Sequence, residues 1–393
     1  MDKCEPVAIT GIGSVCALGL SLPEIREGLY RGTRFLSSAK KLSPDALDFP
    51  IYAVPDSAWQ DGRSGLASDT LHLGLEAARQ AMAQARWPAG VTAAVVAGTT
   101  SGTALHFLEG YRASREGTAH DEDRRAYLHS NPALVMAERL NIHGPRLTIS
   151  NACTSGADAL GLGVDMIRSG QISRALCGGA DALSMVPHTG FARLLVTDAE
   201  PCRPFDVSRA GLNLGEGAAF MCLESLKSAC GRNAAIQGYI LGYGAHCDAH
   251  HFTAPHPEAE GLMKALHDAL AQAGKSAADM AFVNVHGTGT RENDRAEGKL
   301  LARELPGVPI WATKALTGHT LGAAGALEAV FTLVALQNRQ IPASVGFAEL
   351  DPEIGAEPAR AGLALTRNAA LSTSLGFGGT NAVLILATGR EHE

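Results

Sequence analysis

The chain has 393 residues, of which 44 are glycine, with 5 % aromatic and 19 % charged residues; this is the composition of a tightly turned α/β protein, not of a disordered, fibrous or coiled-coil one. The 33 basic against 40 acidic residues leave a net charge of −7, which argues against nucleic-acid binding and against a polybasic membrane anchor. No run of 18 apolar residues is present to span a bilayer, and a chain this long buries a full core without disulfides or metals.

The chain order reads as alternating strands and helices. Val7 to Gly13 is a short apolar strand running into glycines, Leu71 to Ala85 has helical spacing, and Ala93 to Ala97 is a buried-strand run that ends in Gly98-Thr99-Thr100-Ser101-Gly102. Residues 112–130 are polar and read as an exposed helical excursion or lid. Leu147 to Ser150 is a strand, Ser155 to Arg168 a helix, and Ala175 to Ala180 another strand closed by glycines. After residue 232 the pattern restarts, with strands at 236–244, 281–285 and 309–312 and helices at 258–273 and 322–336. A hairpin of 369–372 with 382–386 closes the chain. Strands separated by helices predict βαβ units and mostly parallel sheets. The similar order of the two halves predicts a duplication, divided as 1–232 and 233–393.

Four stretches carry chemistry. In Ile149-Ser150-Asn151-Ala152-Cys153-Thr154-Ser155-Gly156 a strand ends, small residues turn sharply, and a cysteine meets the first turn of a helix. That position offers unpaired N–H groups and a positive dipole end, which favour a thiolate and can hold an oxyanion; the alternative is a small hydrophobe in a core. His286, at the end of a buried strand in Val285-His286-Gly287-Thr288-Gly289-Thr290, is either an active group or a hydrogen-bonded structural histidine. Lys314 and His319 precede an Ala/Gly-rich helix that carries Glu328 and must pack closely. Ser374-Leu375-Gly376-Phe377-Gly378-Gly379-Thr380-Asn381 places one ring between glycines that permit tight turns and motion. His246 to His256, with four histidines, Cys247 and Asp248, has the residue types of a metal site. No GxGxxG lies between a strand and a helix, so a Rossmann site is not indicated.

Together these stretches resemble the β-ketoacyl-acyl carrier protein synthases, the condensing enzymes of the thiolase fold, from Val7 to Ala387. The resemblance rests on Ala152-Cys153-Thr154-Ser155, Arg203-Pro204-Phe205-Asp206, Gly215-Glu216-Gly217-Ala218, His286 to Thr290 with Asp294 and Glu297, and the Lys314 to Glu328 block. It implies an α/β thiolase-like fold of two duplicated βαβ halves in a five-layer α-β-α-β-α sandwich. Cys153 would take an acyl group from an acyl carrier protein, and His286 and His319 would hold a malonyl thioester for decarboxylation and condensation. Lys314 and Glu328 would support the histidines, and the N–H groups of Cys153 and Phe377 would form the oxyanion hole. Thr288 and Thr290 would line the phosphopantetheine path, and Phe377 would be the gating ring. The resemblance implies no metal and no redox cofactor, and it accounts for the 246–256 loop without one.

Two departures bear on specificity. Housekeeping members carry a basic cluster before the helix at 71–85, where this chain has Asp61-Gly62-Arg63-Ser64-Gly65-Leu66, so carrier docking would fall to Arg63 and Arg209. Ser101 stands where relatives often have a bulkier apolar residue, implying a wider or more polar acyl pocket. The slightly short chain resembles the ketosynthases of polyene and type II polyketide clusters. The expected assembly is a dimer, with itself or with a chain-length-factor subunit, and the expected location is the cytoplasm, given scattered cysteines without a CxxC pair and an opening that lacks a signal-peptide layout. A non-catalytic chain-length partner is the alternative function, against which Cys153 and both histidines argue. A thiolase would need a cysteine after Cys247, and a Cys/His hydrolase would leave the Lys314 to Glu328 block unexplained.

Overall fold

The computed structural model describes residues 4–59, 68–103, 108–118 and 131–389. Ten strands form its main sheet: β1 (Val7–Cys16), β2 (Ala94–Gly98), β3 (Arg146–Ile149), β4 (Arg174–Asp181), β5 (Gly217–Glu224), β6 (Gly238–Cys247), β7 (Met280–Val285), β8 (Ile310–Ala312), β9 (Ala369–Gly376) and β10 (Thr380–Ala387). Their order is β8-β7-β9-β10-β6-β1-β5-β4-β2-β3. Each half of five strands is therefore wound third, second, fourth, fifth, first. Within each half the second strand runs parallel to the third and fourth, while the fifth runs antiparallel to the fourth and first. The two windings are the same, as the repeated order of elements in the sequence predicts. The halves meet through a short antiparallel pairing of β1 with β6, Val7 to Ile240 through Ile9 to Gly238.

Seven helices matter for the site: α1 (Asp69–Ala85), α2 (Pro132–Arg139), α3 (Ser155–Arg168), α4 (Met185–Arg193), α5 (Glu260–Ala273), α6 (Arg291–Glu304) and α7 (Ala324–Asn338). α3 and α7 pack on each other and touch strands of both halves, so they form the central layer. α1 and α2 cover the outer face of one half and α5 that of the other, completing five layers. α7 is buried on every side from Ala324 to Leu336, as a helix sandwiched between sheets must be. The described stretch long and apolar enough to cross a membrane, residues 321–338, is this core helix.

The duplication also shows at residue level, in a pattern visible only after folding. A Cβ on Gly11 or Gly13 of β1 would lie 2.0 Å from the Ala81 carbonyl or 1.8 Å from the Ala77 carbonyl of α1. On Gly242 or Gly244 of β6 it would lie 2.1 Å from the Ala269 or the Ala265 carbonyl of α5. Each half thus seats an Ala-x3-Ala helix face directly on a Gly-x-Gly strand, and side chains at those glycines would force the layers apart. Within the polar 112–130 stretch, the end of a helix at Leu108–Arg115 is described, and residues 119–130 lie outside the described residues.

Candidate active site

The third strand of each half leads towards a central helix, and the two connections supply opposite sides of one site. After β3 the chain turns at Ala152, whose φ of 48° is a left-handed conformation unusual for a residue with a side chain. Ser155 Oγ and Thr100 Oγ1 both donate to the Ala152 carbonyl, at 2.6 and 3.1 Å, and hold the turn. Cys153 follows, buried, at the N-terminal end of α3. The helix end predicts a depressed thiol, and here the structure differs. Burial pushes the Cys153 thiol up to about 11, against the pull of the Lys314 ammonium and the Phe377 backbone N–H, with Asp181 and Glu328 adding to the rise. Desolvation is the largest of these effects. The resting group at pH 7 is a thiol, so its iodoacetamide alkylation rate should climb about tenfold per pH unit between pH 7 and 9. A plateau between pH 7 and 8 would contradict this.

After β8, Lys314 and His319 occupy the equivalent connection before α7. All three protons of the buried Lys314 ammonium are used: to His286 Nδ1 at 3.1 Å, to the His286 carbonyl at 2.6 Å and to Glu328 Oε1. An ammonium has no lone pair, so His286 Nδ1 must accept and its ring proton lies on Nε2. His319 Nδ1 accepts from the Leu321 N–H at 3.1 Å, which places its proton on Nε2 too. The rings meet edge to face with centroids 5.2 Å apart. Burial, then Lys314, then His319 hold His286 far below the usual histidine range; burial and Lys314 do the same for His319. Both imidazoles are therefore neutral and each keeps one N–H donor free for a ligand. Glu328 is pushed up to about 7 by burial, with Lys314 pulling it down.

His286 itself is pinned by α6. Glu297 accepts from the His286 and Gly287 N–H groups at 2.8 and 2.9 Å and from Thr373 Oγ1 at 2.6 Å. Asp294 accepts from the N–H groups of Gly289 and Phe205. A cavity of about 450 Å³ brings together Cys153, His286, His319, Thr288, Thr290 and Phe377. The Thr288 and Thr290 hydroxyls share a 2.8 Å hydrogen bond. The Phe377 ring stacks on Phe191 of α4 with centroids 5.3 Å apart; sequence reasoning did not single out Phe191. Gly376 is needed beside Cys153, since a Cβ there would lie 2.4 Å from Thr380 Oγ1 and 3.1 Å from the Cys153 nitrogen. Gly376→Ala should cut turnover about 100-fold or more by obstructing that N–H donor. Turnover within threefold of wild type would show the donor is not used.

Two expectations are revised. Arg209 is buried, donating to Asp351 Oδ2 at 2.6 Å and to the carbonyls of Asp206 and Arg291, with Asp294 beside it; it is a structural cation and cannot dock a carrier protein. Ser101 does not line the cavity, and its N–H points to Asp181 at 3.3 Å. Arg63 lies outside the described residues. In the 246–256 loop, His246 pairs with Asp268, His251 Nδ1 accepts from Thr253 and Ala254 N–H groups, and Asp248 accepts from His256 and Gly261 N–H groups and from Asn381. Among the described residues no group of three or more His, Cys, Asp and Glu side chains is placed to hold a metal ion.

Comparison with known proteins identifies the family. Residues 4–229 match the family profile described as Beta-ketoacyl synthase, N-terminal domain, and residues 237–348 the corresponding C-terminal domain. The chain is 30 % identical to 3-oxoacyl-[acyl-carrier-protein] synthase 2 of Synechocystis sp., over 96 % of this chain and 97 % of that one. It is 33 % identical to Nodulation protein E of Rhizobium sp. (strain N33), over 96 % and 98 %. Among solved structures, the ishigamide ketosynthase/chain length factor superposes with a TM-score of 0.91 at 30 % identity, over 98 % of this chain and 100 % of that one. The ketosynthase ApeO in complex with its chain length factor ApeC, from Xenorhabdus doucetiae, gives 0.84 at 30 % identity over 98 % of each. The chain belongs to the β-ketoacyl synthase family and is a condensing acyltransferase.

Proposed function

We propose that this chain extends an acyl group, held on Cys153, by decarboxylative condensation with malonyl-acyl carrier protein in fatty acid, polyene or polyketide elongation. The observation that carries the reading is the single cavity in which a nucleophilic thiol faces two neutral imidazoles, each locked with its proton on Nε2. Cys153 sulfur attacks the acyl thioester, its proton leaves with the carrier thiol, and an acyl-enzyme forms. The malonyl thioester carbonyl then accepts from both Nε2–H groups. Loss of carbon dioxide leaves its electron pair on an enolate that those donors stabilise without any proton transfer. The enolate carbon attacks the acyl-Cys153 carbonyl, the oxyanion rests on the N–H groups of Cys153 and Phe377, and collapse expels the Cys153 thiolate with the β-ketoacyl carrier as product.

Thr288 and Thr290 line the path of the phosphopantetheine arm, and the Phe377 ring, backed by Phe191, opens for the acyl chain. The reaction calls for no metal or redox group beyond that arm. The complete set Cys153, His286, His319, Lys314 and Glu328 favours a catalytic subunit over a chain-length partner. The division at 232/233 separates the half that supplies the nucleophile from the half that supplies both histidines. The free state of all eight cysteines suits the cytoplasm. A dimeric assembly, with a second copy or a chain length factor, is supported by β3, an edge strand with no outer neighbour among the described residues and with Leu147 exposed. Intact-mass spectrometry with a panel of acyl carrier thioesters tests the reading. One acyl mass on Cys153, converted to a β-ketoacyl carrier when malonyl carrier is added, is expected; no acyl mass with any donor, with or without a partner subunit, would overturn it.

A further inference from the structure

We infer that Asp181, which does not touch the cavity, is the positioning residue that sets the nucleophile's turn against the His319 loop; the inference rests on the condensing-enzyme reading above. Asp181 ends β4 with no exposed surface. Its Oδ2 accepts from the N–H groups of Thr100 and Gly322, both at 2.7 Å; its Oδ1 accepts from Thr99 Oγ1 at 2.7 Å and from the Ser101 N–H at 3.3 Å. One carboxylate thus binds two loops from opposite halves of the chain.

Each loop leads in one step to a reacting group. On one side Thr100 Oγ1 donates to the carbonyl of Ala152, the left-handed residue just before Cys153, and Thr100 O accepts from Ser150 on the same turn. On the other side Gly322 adjoins Leu321, whose N–H sets the tautomer of His319 and whose φ is 53°. Neither neighbour tolerates bulk. A Cβ on Gly322 would lie 2.4 Å from the Thr100 nitrogen, and one on Gly156 or Gly179 would lie 2.7 or 2.6 Å from the Gly322 carbonyl. The start of α3, β4, the Thr99–Ser101 loop and the His319 loop therefore meet backbone to backbone, with the Asp181 carboxylate as the shared acceptor. Four donors converge on it, and two of them, the Thr99 hydroxyl and the Gly322 N–H, are buried, so the tie is costly to lose.

Asp181→Ala removes the tie, whereas Asp181→Asn keeps its shape and its carbonyl on the Thr100 and Gly322 N–H groups. With wild type, both variants are compared after circular dichroism shows equal folding. The first measurement is carbon dioxide release from malonyl-acyl carrier protein, the second the rate of Cys153 alkylation by iodoacetamide. Asp181→Ala should lower kcat for release about tenfold or more at unchanged KM, because a shift of 1 Å in a reacting group costs on the order of 100-fold. Asp181→Asn should stay within about threefold of wild type. Both variants lose the same charge, so a difference in alkylation between them reads position alone; about threefold or more is expected. Release by Asp181→Ala at the wild-type rate would overturn the inference, as would equal losses in both variants. If wild type releases no carbon dioxide, the condensing reading fails, and the alkylation comparison still decides the role of Asp181: equal rates in the two variants overturn it.

Discussion

Replacement of Cys153 by alanine is expected to abolish condensation. The variant should take no acyl mass from any carrier thioester, and β-ketoacyl product should fall below about 1 part in 10,000 of wild type, since no other group faces both the acyl thioester and the enolate. The two imidazoles owe their tautomers to Lys314 and to the Leu321 N–H, not to the thiol. Cys153→Ala should therefore still decarboxylate malonyl carrier, leaving an acetyl thioester after the enolate takes a proton from water. A variant that still condenses, or one that loses decarboxylation along with acylation while remaining folded, would show that the division of labour between thiol and histidines is wrong.

Lys314→Ala is the second large effect, and it has two parts. Catalytically it removes the donor that keeps the His286 proton on Nε2, so turnover should fall about 100-fold or more. Structurally it strips the cation from Glu328, a buried carboxyl already pushed up to about 7 and with its Oε2 unpartnered among the described residues. Breaking such a pair costs roughly 3–5 kcal/mol when the remaining charge stays ionised. The sign with pH follows from the direction of the shift. A carboxyl raised above its unfolded value is protonated more readily in the folded chain, so stability is present at low pH and lost as pH rises through the folded value. Without Lys314 that rise is larger. The melting temperature of Lys314→Ala should thus lie close to wild type at pH 6 and well below it at pH 8. Lys314→Ala with Glu328→Gln should remove most of the pH 8 deficit while leaving turnover low. Equal deficits at pH 6 and 8 would mean that loss of Lys314 leaves the protonation of Glu328 in the folded chain unchanged.

Much of the candidate site was legible along the chain because its side chains sit where local rules place them. A cysteine between a strand and a helix, a histidine at a strand end, and glycines on both sides of Phe377 are nearest-neighbour patterns, and the resemblance they carry agrees with the family matched over 4–229 and 237–348. The order of strands and helices likewise indicated two similar halves, now seen as the same winding in each. The residue-level repeat escaped notice because Gly11 and Gly13 are matched to Gly242 and Gly244 only by the helix carbonyls they admit.

Amino-acid order by itself determined the fold class, the family and which side chains are able to react. Tertiary structure alone decided what state those side chains are in. Arg209 reads as an available cation until Asp351 and the Asp206 carbonyl are folded against it. Cys153 reads as an activated thiol until burial outweighs the helix end. Asp181 reads as the last residue of a strand until Gly322, 141 positions away, donates to it. Strand, turn and helix signals act over a few residues, through backbone sterics and side-chain period. Charge, tautomer and desolvation are set by whatever surrounds a group in space, and around this cavity those surroundings come from both halves of the chain.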